Sequence, residues 1–360
     1  MQAWFKNNLS ANIALTVICL YVLTAVFCYV FAVDNTNMAN VQVPEISLHK
    51  PRTKMTFVKQ YFNKTIDKPS FSNKLHALFF GQPDDSKYIP ILKYKILQDT
   101  LIYEKYLGKN PLTGKKYTPQ LVKQAIQKND YQIVTRFFPL GTDGYGRCIY
   151  SRILIGSRIS LTVGIIAVLI SLSVGIFIGL LGGYYGGKLD AFLMLLVNVI
   201  WSIPTLLLVF AIVLALGRGI HILYLAIGLT LWVDIARIVR GQVMSTKENL
   251  YIDAAKSLGL GNVRIMFRHI LPNIIGPIIV IAAGNFATAI ILEAGLSYLG
   301  FGVQPPTPSW GNMLNENYGY ALSGYYYLAL APSIAIVLLV LSINIFGNSV
   351  RDHYDVKIDK

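Results

Sequence analysis

The residues able to do covalent chemistry are few and poorly spaced for it. His49, His76, His221, His269 and His353 are scattered, and none stands at ligand spacing from a cysteine or carboxylate. Cys19, Cys28 and Cys148 form neither a CxxC nor a Cys/His pattern, which argues against a zinc site or a disulfide framework. G-x-S-x-G and H-E-x-x-H do not occur, and no Ser/His or paired-Asp arrangement suits intramembrane proteolysis. Gly182 to Lys188 reads GGYYGGK and satisfies G-x-x-x-x-G-K, but Leu189 stands where Ser or Thr would hold the metal. That stretch also ends an apolar run instead of following a strand, and Gly108 to Lys116 has one residue too many. The glycines at 182–187 read better as a turn where a helix leaves a membrane, with Tyr184 and Tyr185 at the interface. The sequence therefore assigns no catalytic residue, cofactor or metal, and does not read as an enzyme.

The elements that must position any functional residue are membrane helices. Of 360 residues, 54% are hydrophobic and 14% charged, whereas soluble domains carry about a quarter charged residues. Crossing about 30 Å of hydrocarbon takes roughly 20 apolar residues. Six stretches qualify: 11–33, 159–182, 191–216, 220–239, 274–299 and 325–347. They are continuously apolar and lack barrel alternation, so the predicted fold class is an all-α membrane protein with six transmembrane helices. The first stretch is longer than the about 7–15 residues of a signal-peptide core and is preceded only by Lys6, which predicts a retained helix.

Basic residues in short loops set the orientation. Between the fourth and fifth stretches stand Arg237, Arg240, Lys247, Lys256, Arg264 and Arg268 against Glu248 and Asp253, while residues 300–324 hold no Lys or Arg. The first loop is expected in the cytoplasm and the second outside, with both termini cytoplasmic. Lys188 agrees and Arg218 weakly opposes. The expected organisation is a first helix within 1–33, an external domain over 34–158, a five-helix core over 159–347 with a cytoplasmic loop over 241–273, and a tail over 348–360. The external domain holds about 20 Lys and Arg against nine acidic residues, compatible with external placement because long loops translocate largely regardless of charge. Its plain helix signal is Thr118 as cap, Pro119 at the first position and a stripe of Leu121, Val122, Ala125 and Ile126, which predicts a mainly α insertion. It reads either as a docking surface for an acidic partner or as a solvated basic spacer. Nucleic acid is not an expected partner.

The most informative segment is 245–273, STKENLYIDAAKSLGLGNVRIMFRHILPN. Ser245 or Thr246 is expected to cap a helix running to about Leu258, with Leu250, Ala254, Ala255 and Leu258 on one face. Gly259 fits the left-handed position that ends a helix, and Gly261 extends the turn. A second helix from Asn262 is expected to stop before Pro272. Small residues let another surface approach closely; the alternative is an amphipathic connector lying on the membrane.

Asp253-Ala254-Ala255, Gly259 and Ile270-Leu271-Pro272-Asn273 resemble the EAA loop of membrane subunits of ATP-binding-cassette importers. GTDGYGR at 141–147 with SRILIGSRISL at 151–161, GGYYGGKLD at 182–190 with Ile203-Pro204, and GLSYLGFGVQPPTPSWGNML at 295–314 narrow the resemblance to the C-type permease subunit of oligopeptide, dipeptide and nickel importers. The resemblance covers 141–354 and, by position, the first helix, but not 34–140. It implies the type I ABC importer permease fold in the cytoplasmic (inner) membrane, surrounded by lipid. It also implies a second permease subunit as heterodimer partner, two cytoplasmic ATP-binding subunits and an external substrate-binding protein. Asp253, Ala254, Ala255, Gly259, Arg264, His269 and Pro272 would then couple the chain to an ATPase. The implied cargo is a di- or oligopeptide, with nickel or another small solute as the alternative within the family. Three positions depart from the pattern: Asp253 replaces the usual Glu, Cys148 the usual Asp, and Leu195 or Leu196 with Asn198 an expected Arg and Asp. A stand-alone secondary transporter or channel is the competing function, disfavoured because no internal repeat is visible.

Glu293 is the carboxylate deep in the fifth stretch. A charge near the bilayer centre costs about 2.5–3.5 kcal/mol on insertion scales. It is expected either to face the bundle or path, near an external gate with Tyr298, or to snorkel at the helix end. Asp234 and Arg237 are expected to form a structural pair, and Pro204 and Pro332 to kink their helices. The segment 295–324, with Trp310, is expected to cap the path or to meet the binding protein.

Overall fold

The computed structural model describes residues 8–61, 71–83, 86–97, 100–108, 117–125 and 131–358. In chain order they form α1 (Leu9–Val26), α2 (Cys28–Phe31), β1 (Thr53–Tyr61), α3 (Phe71–Phe80), β2 (Ser86–Leu97), β3 (Thr100–Lys105), β4 (Gln120–Ala125) and β5 (Tyr131–Phe138). There follow α4 (Ile149–Tyr185), α5 (Gly187–Trp201), α6 (Thr205–Leu216), α7 (Ile220–Lys247), α8 (Leu250–Ser257), α9 (Asn262–Ile265), α10 (Ile275–Tyr298), α11 (Trp310–Leu322) and α12 (Tyr327–Ile358). Two compact units emerge: Met1–Tyr21, Ser160–Gln304 and Ile334–Lys360 make one, Val22–Ile159 and Pro305–Ser333 the other.

α1, α4, α7, the run from α9 to α10, and α12 are each long and apolar enough to cross a membrane. The third expected stretch is no single helix. α5 and α6 meet at 88°, so they make a sixth span only as a bent pair. Pro204 explains the break: it has no N–H to give, its ring clashes with a continuing helix, and it takes the position just before α6. α12, by contrast, runs unbroken through Pro332.

α4 and α7 are held together by glycines. A Cβ on Gly175 would lie 2.6 Å from Ile235, one on Gly179 2.7 Å from the Ala236 carbonyl, and one on Gly183 2.8 Å from the Arg240 carbonyl. The i, i+4, i+8 spacing puts all three on one face of α4, and only hydrogen there lets the backbones approach. Gly179→Leu is expected to cost about 1–3 kcal/mol by overpacking. A thermal midpoint equal to the parent protein's would contradict this contact. Val197 of α5 packs with Trp232, Val233 and Ala236 of α7.

The second unit corrects the expectation of a mainly α insertion. Its centre is an antiparallel five-stranded sheet in the order β4-β3-β2-β1-β5. The stretch expected as a helix from Thr118 is β4, paired with β3 from Thr100↔Ala125 to Lys105↔Gln120; Ile126 lies outside the described residues. Pairing overrides the local signal because Val122 then packs with Leu101 and Tyr103 while Leu121 points to the open side. β1 gave no alternating signal because both faces of the sheet are covered at its centre. Phe57 of β1 joins Val43, Ile46, Tyr88 and Phe138 on one face, and Val58 joins Ile91, Leu101 and Tyr103 on the other. Adjacent buried residues erase the alternation that marks a half-exposed strand.

Candidate functional site

α7 ends at Lys247, and after Glu248 the chain turns into α8 with Asn249 at the N-cap position. Ser245 and Thr246 are therefore inside α7 and cap nothing. α8 ends as its glycine dictates. Gly259 has φ +75°, its N–H donates to the Lys256 carbonyl at 2.9 Å, and the Leu260 N–H donates to the Ala255 carbonyl at 3.2 Å. This is the Schellman arrangement, with the left-handed residue at C′. Gly259→Val is expected to cost about 1–2 kcal/mol at this turn, seen as faster protease cutting within 248–262. Unchanged cutting would contradict the strain.

The burial of α8 differs from the expected face. Ile252 and Ala255 are buried and pack with Leu180 of α4, Ile235, Val239 and Val243 of α7, and Ile265, Met266 and Ile270 beyond the turn. Leu250, Ala254 and Leu258 form the outward stripe, with Leu250 87% and Leu258 81% exposed. Apolar Val263 and Phe267 are also exposed, beside exposed Arg264 and Arg268. Asp253 is exposed as well, and pairs with Lys256 Nζ at 2.9 Å on its own helix. Large apolar side chains exposed together are a feature of interaction sites in general.

Polar braces hold this hairpin against the bundle. The Tyr184 hydroxyl donates to Asn262 Oδ1 at 2.9 Å, Lys247 Nζ donates to the Tyr184 carbonyl at 2.6 Å, and Asn273 Nδ2 donates to the Tyr251 hydroxyl at 3.1 Å. The second helix is not stopped before Pro272. Met266–Ile270 widen into a π turn and Leu271–Ile274 tighten into a 3₁₀ turn, so helical winding continues from α9 into α10. Shifting the hydrogen-bond register around a proline avoids both its missing donor and its ring clash. The His269 carbonyl accepts from Asn273 Nδ2 at 2.6 Å. Pro272 itself is exposed and His269 half-buried.

Other expected residues fall elsewhere. Glu293 is fully buried: the Ser160 hydroxyl of α4 donates to Oε2 at 3.0 Å and the Ser297 hydroxyl to Oε1 at 2.8 Å. It does not snorkel; it ties α4 to α10. Ser297 Oγ also accepts the Val303 N–H at 3.0 Å. Tyr298 is the last residue of α10 and is partly exposed. Trp310 belongs to the second unit, fully buried, its indole N–H donating to the Ile153 carbonyl at 3.1 Å. Among the described residues Asp234 and Arg237 form no ion pair. Arg237 donates to Asn198 Oδ1 at 2.6 Å and lies over Trp201. Sequence reading missed the two-point pair of Arg240 with Asp190, both contacts 2.5 Å, which anchors the start of α5 on α7. It also missed Ile252 as the inner anchor of α8. The signal for the Gly175, Gly179 and Gly183 contact was present in their fourfold spacing.

The family described as binding-protein-dependent transport system inner membrane component matches residues 175–360. The chain belongs to this family. It is 41% identical over 219 residues to the glutathione transport system permease protein GsiD of Pectobacterium atrosepticum, covering 61% of this chain and 72% of that protein. To the oligopeptide transport system permease protein OppC of Bacillus subtilis it is 37% identical over 220 residues, covering 61% and 72%. An inward-facing MetNI methionine ABC transporter aligns at a TM-score of 0.47 and 20% identity, covering 56% of this chain and 95% of that one. This membership makes the chain a permease subunit of an ATP-driven importer and a multi-pass membrane protein. It is a transport component, not an enzyme, and its partners are ATP-binding subunits and a substrate-binding protein.

Proposed function

We propose that this chain forms half of a path for di- or oligopeptides across the cytoplasmic membrane, and that α8 to α9 is the hairpin through which an ATP-binding subunit drives it. The observation that carries this is the two-sided character of α8. Ile252 and Ala255 fix it to α4 and α7, while Leu250, Ala254 and Leu258 are exposed, uncovered by any of the described residues. A helix both anchored and available can pass a partner's displacement into the bundle. Nucleotide shifts the transporter only if that contact differs in energy between states. Asp253, Ala254, Gly259 and Arg264 belong to the contact; Ala255, His269 and Pro272 shape it. The names of the relatives, for glutathione and oligopeptides, support the peptide cargo.

The basic residues of 237–268 support a cytoplasmic hairpin, with both termini on the same side and the segment 34–158 outside. The bent pair α5–α6 exposes Phe192, Leu195, Val199, Leu207 and Leu214, a broad apolar surface suited to a second, different permease subunit or to lipid. Glu293, Ser160 and Ser297 hold α4 to α10 beside the path, with Tyr298 nearer its outer end, while Trp310 anchors α11 within the second unit through the Ile153 carbonyl. Reconstituting this chain with its permease partner, ATP-binding subunits and binding protein should give tripeptide uptake that stops without ATP or without the binding protein. Uptake driven by an ion gradient with this chain alone would overturn the reading.

A further inference from the structure

We propose that the sheet between the first two long helices carries its own slot for a short peptide with free termini. The slot lies where β2 keeps one edge open. Ser86 to Ile91 pair with Tyr61 to Thr56 of β1, but β3 ends at Lys105 opposite Ile91, and the Tyr106 N–H closes on the Pro90 carbonyl at 2.9 Å. Before Pro90, no strand among the described residues pairs with the other edge of β2. Such an edge offers outward N–H and C=O groups that an added strand satisfies. A cavity of about 500 Å³ opens there between Ser86–Ile89, the segment from Asn40 to Glu45, and Tyr103 with Lys105. Small-ligand sites span roughly 300–1,000 Å³, and four extended residues cover about 13 Å. The slot fits a peptide of about three or four residues.

In this proposal the peptide takes the direction of β3. Continuing the line of β3 means running antiparallel to β2, starting beside Lys105 and finishing beside Ser86 and Lys87. Glu45 stands at the starting end, 3.1 Å from Lys105 Nζ and still partly open to solvent. Lys87 stands at the finishing end, exposed and without a carboxylate partner among the described residues. An acid where the peptide's ammonium falls and a lysine where its carboxylate falls select a chain with both termini free. Tyr88 and Tyr103 belong to opposite faces of the sheet. Alternating peptide side chains therefore meet one tyrosine on each side.

The choice of peptide as ligand rests on the import reading above; the open edge and its charges do not. The test is calorimetric titration of the purified full-length chain with trialanine and with N-acetyl-trialanine amide. Trialanine should bind saturably, and the blocked peptide about tenfold more weakly or worse. Glu45→Gln and Lys87→Met should each weaken trialanine by about tenfold and leave the blocked peptide unchanged. Lys87 is exposed, so its variant reports on binding without disturbing the fold. No saturable binding, equal binding of both peptides, or indifference to both variants would each overturn the slot. ATP-driven uptake is read separately in the reconstituted assembly. Failure of uptake with the slot intact sinks only the import reading; uptake without slot binding sinks only the slot.

Discussion

Leu258→Asp is expected to leave this chain inserted and folded yet to cut ATP-driven uptake by about tenfold or more. Leu258 is 81% exposed and belongs to no buried cluster, so its replacement removes nothing that holds the protein together. Surface changes away from buried features usually stay within about 0.5 kcal/mol. A large functional effect from a residue with so little structural work requires a partner surface on it. Burying an aspartate there without a counter-charge costs about 2 kcal/mol or more at an interface hot spot, and about 1.4 kcal/mol already corresponds to tenfold in affinity. Leu250→Asp, on the same stripe, should behave alike. Copurification of the ATP-binding subunits with each variant measures the effect beside uptake; parental levels of both would remove α8 from the contact.

Glu316→Ala is expected to cost the second unit about 3–5 kcal/mol, the largest stability loss anticipated here. Glu316 Oε2 accepts from Arg147 Nη2 at 2.5 Å and from Arg152 Nη2 at 3.1 Å, and both arginines are almost wholly buried. Arg147 also donates from Nε to Asp143 Oδ2 at 2.7 Å. Burial pulls the Arg147 guanidinium down, but Asp143 and Glu316 beside it outweigh burial and hold it above its ordinary value. Arg152 has less to spare, since its Nε and Nη1 already lack partners. Removing Glu316 strips Arg152 of its ion pair and leaves a buried, uncompensated charge. Thermal unfolding of the detergent-solubilised protein reads this. A loss below about 1 kcal/mol would show that the cluster is no more than a solvent-screened surface pair. Glu316→Gln, which keeps one acceptor, should fall between the two.

The parts of this protein that were legible in its sequence are those where one physical constraint dominates. Apolar length without alternation marks the long helices, because only a helix or a closed barrel satisfies a backbone in lipid. Gly259 was readable as a helix end because a positive φ favours glycine over every other residue. The failures have equally specific causes. Thr118 and Pro119 suit the start of a helix, yet the residues after them pair with β3, a partner about 20 residues earlier that local pattern cannot see. Phe57 and Val58 are both buried, so β1 shows no alternation. Pro272 reads as a stop, but the π turn at Met266–Ile270 absorbs it, and nothing in the residue types announces that turn. On α8, Leu250, Ala254 and Leu258 share one exposed side as their spacing predicts, whereas Ala255, expected with them, turns inward beside Ile252.

Crosslinking from a single cysteine at position 258 is the most direct test of the hairpin as the coupling element. In the assembled importer, with the native Cys19, Cys28 and Cys148 replaced, Leu258→Cys should form an adduct with an ATP-binding subunit, and its yield should change between nucleotide-free and ATP-bound states. Labelling of that cysteine only from the outer side of sealed cells, or adducts with lipid alone in both states, would contradict it.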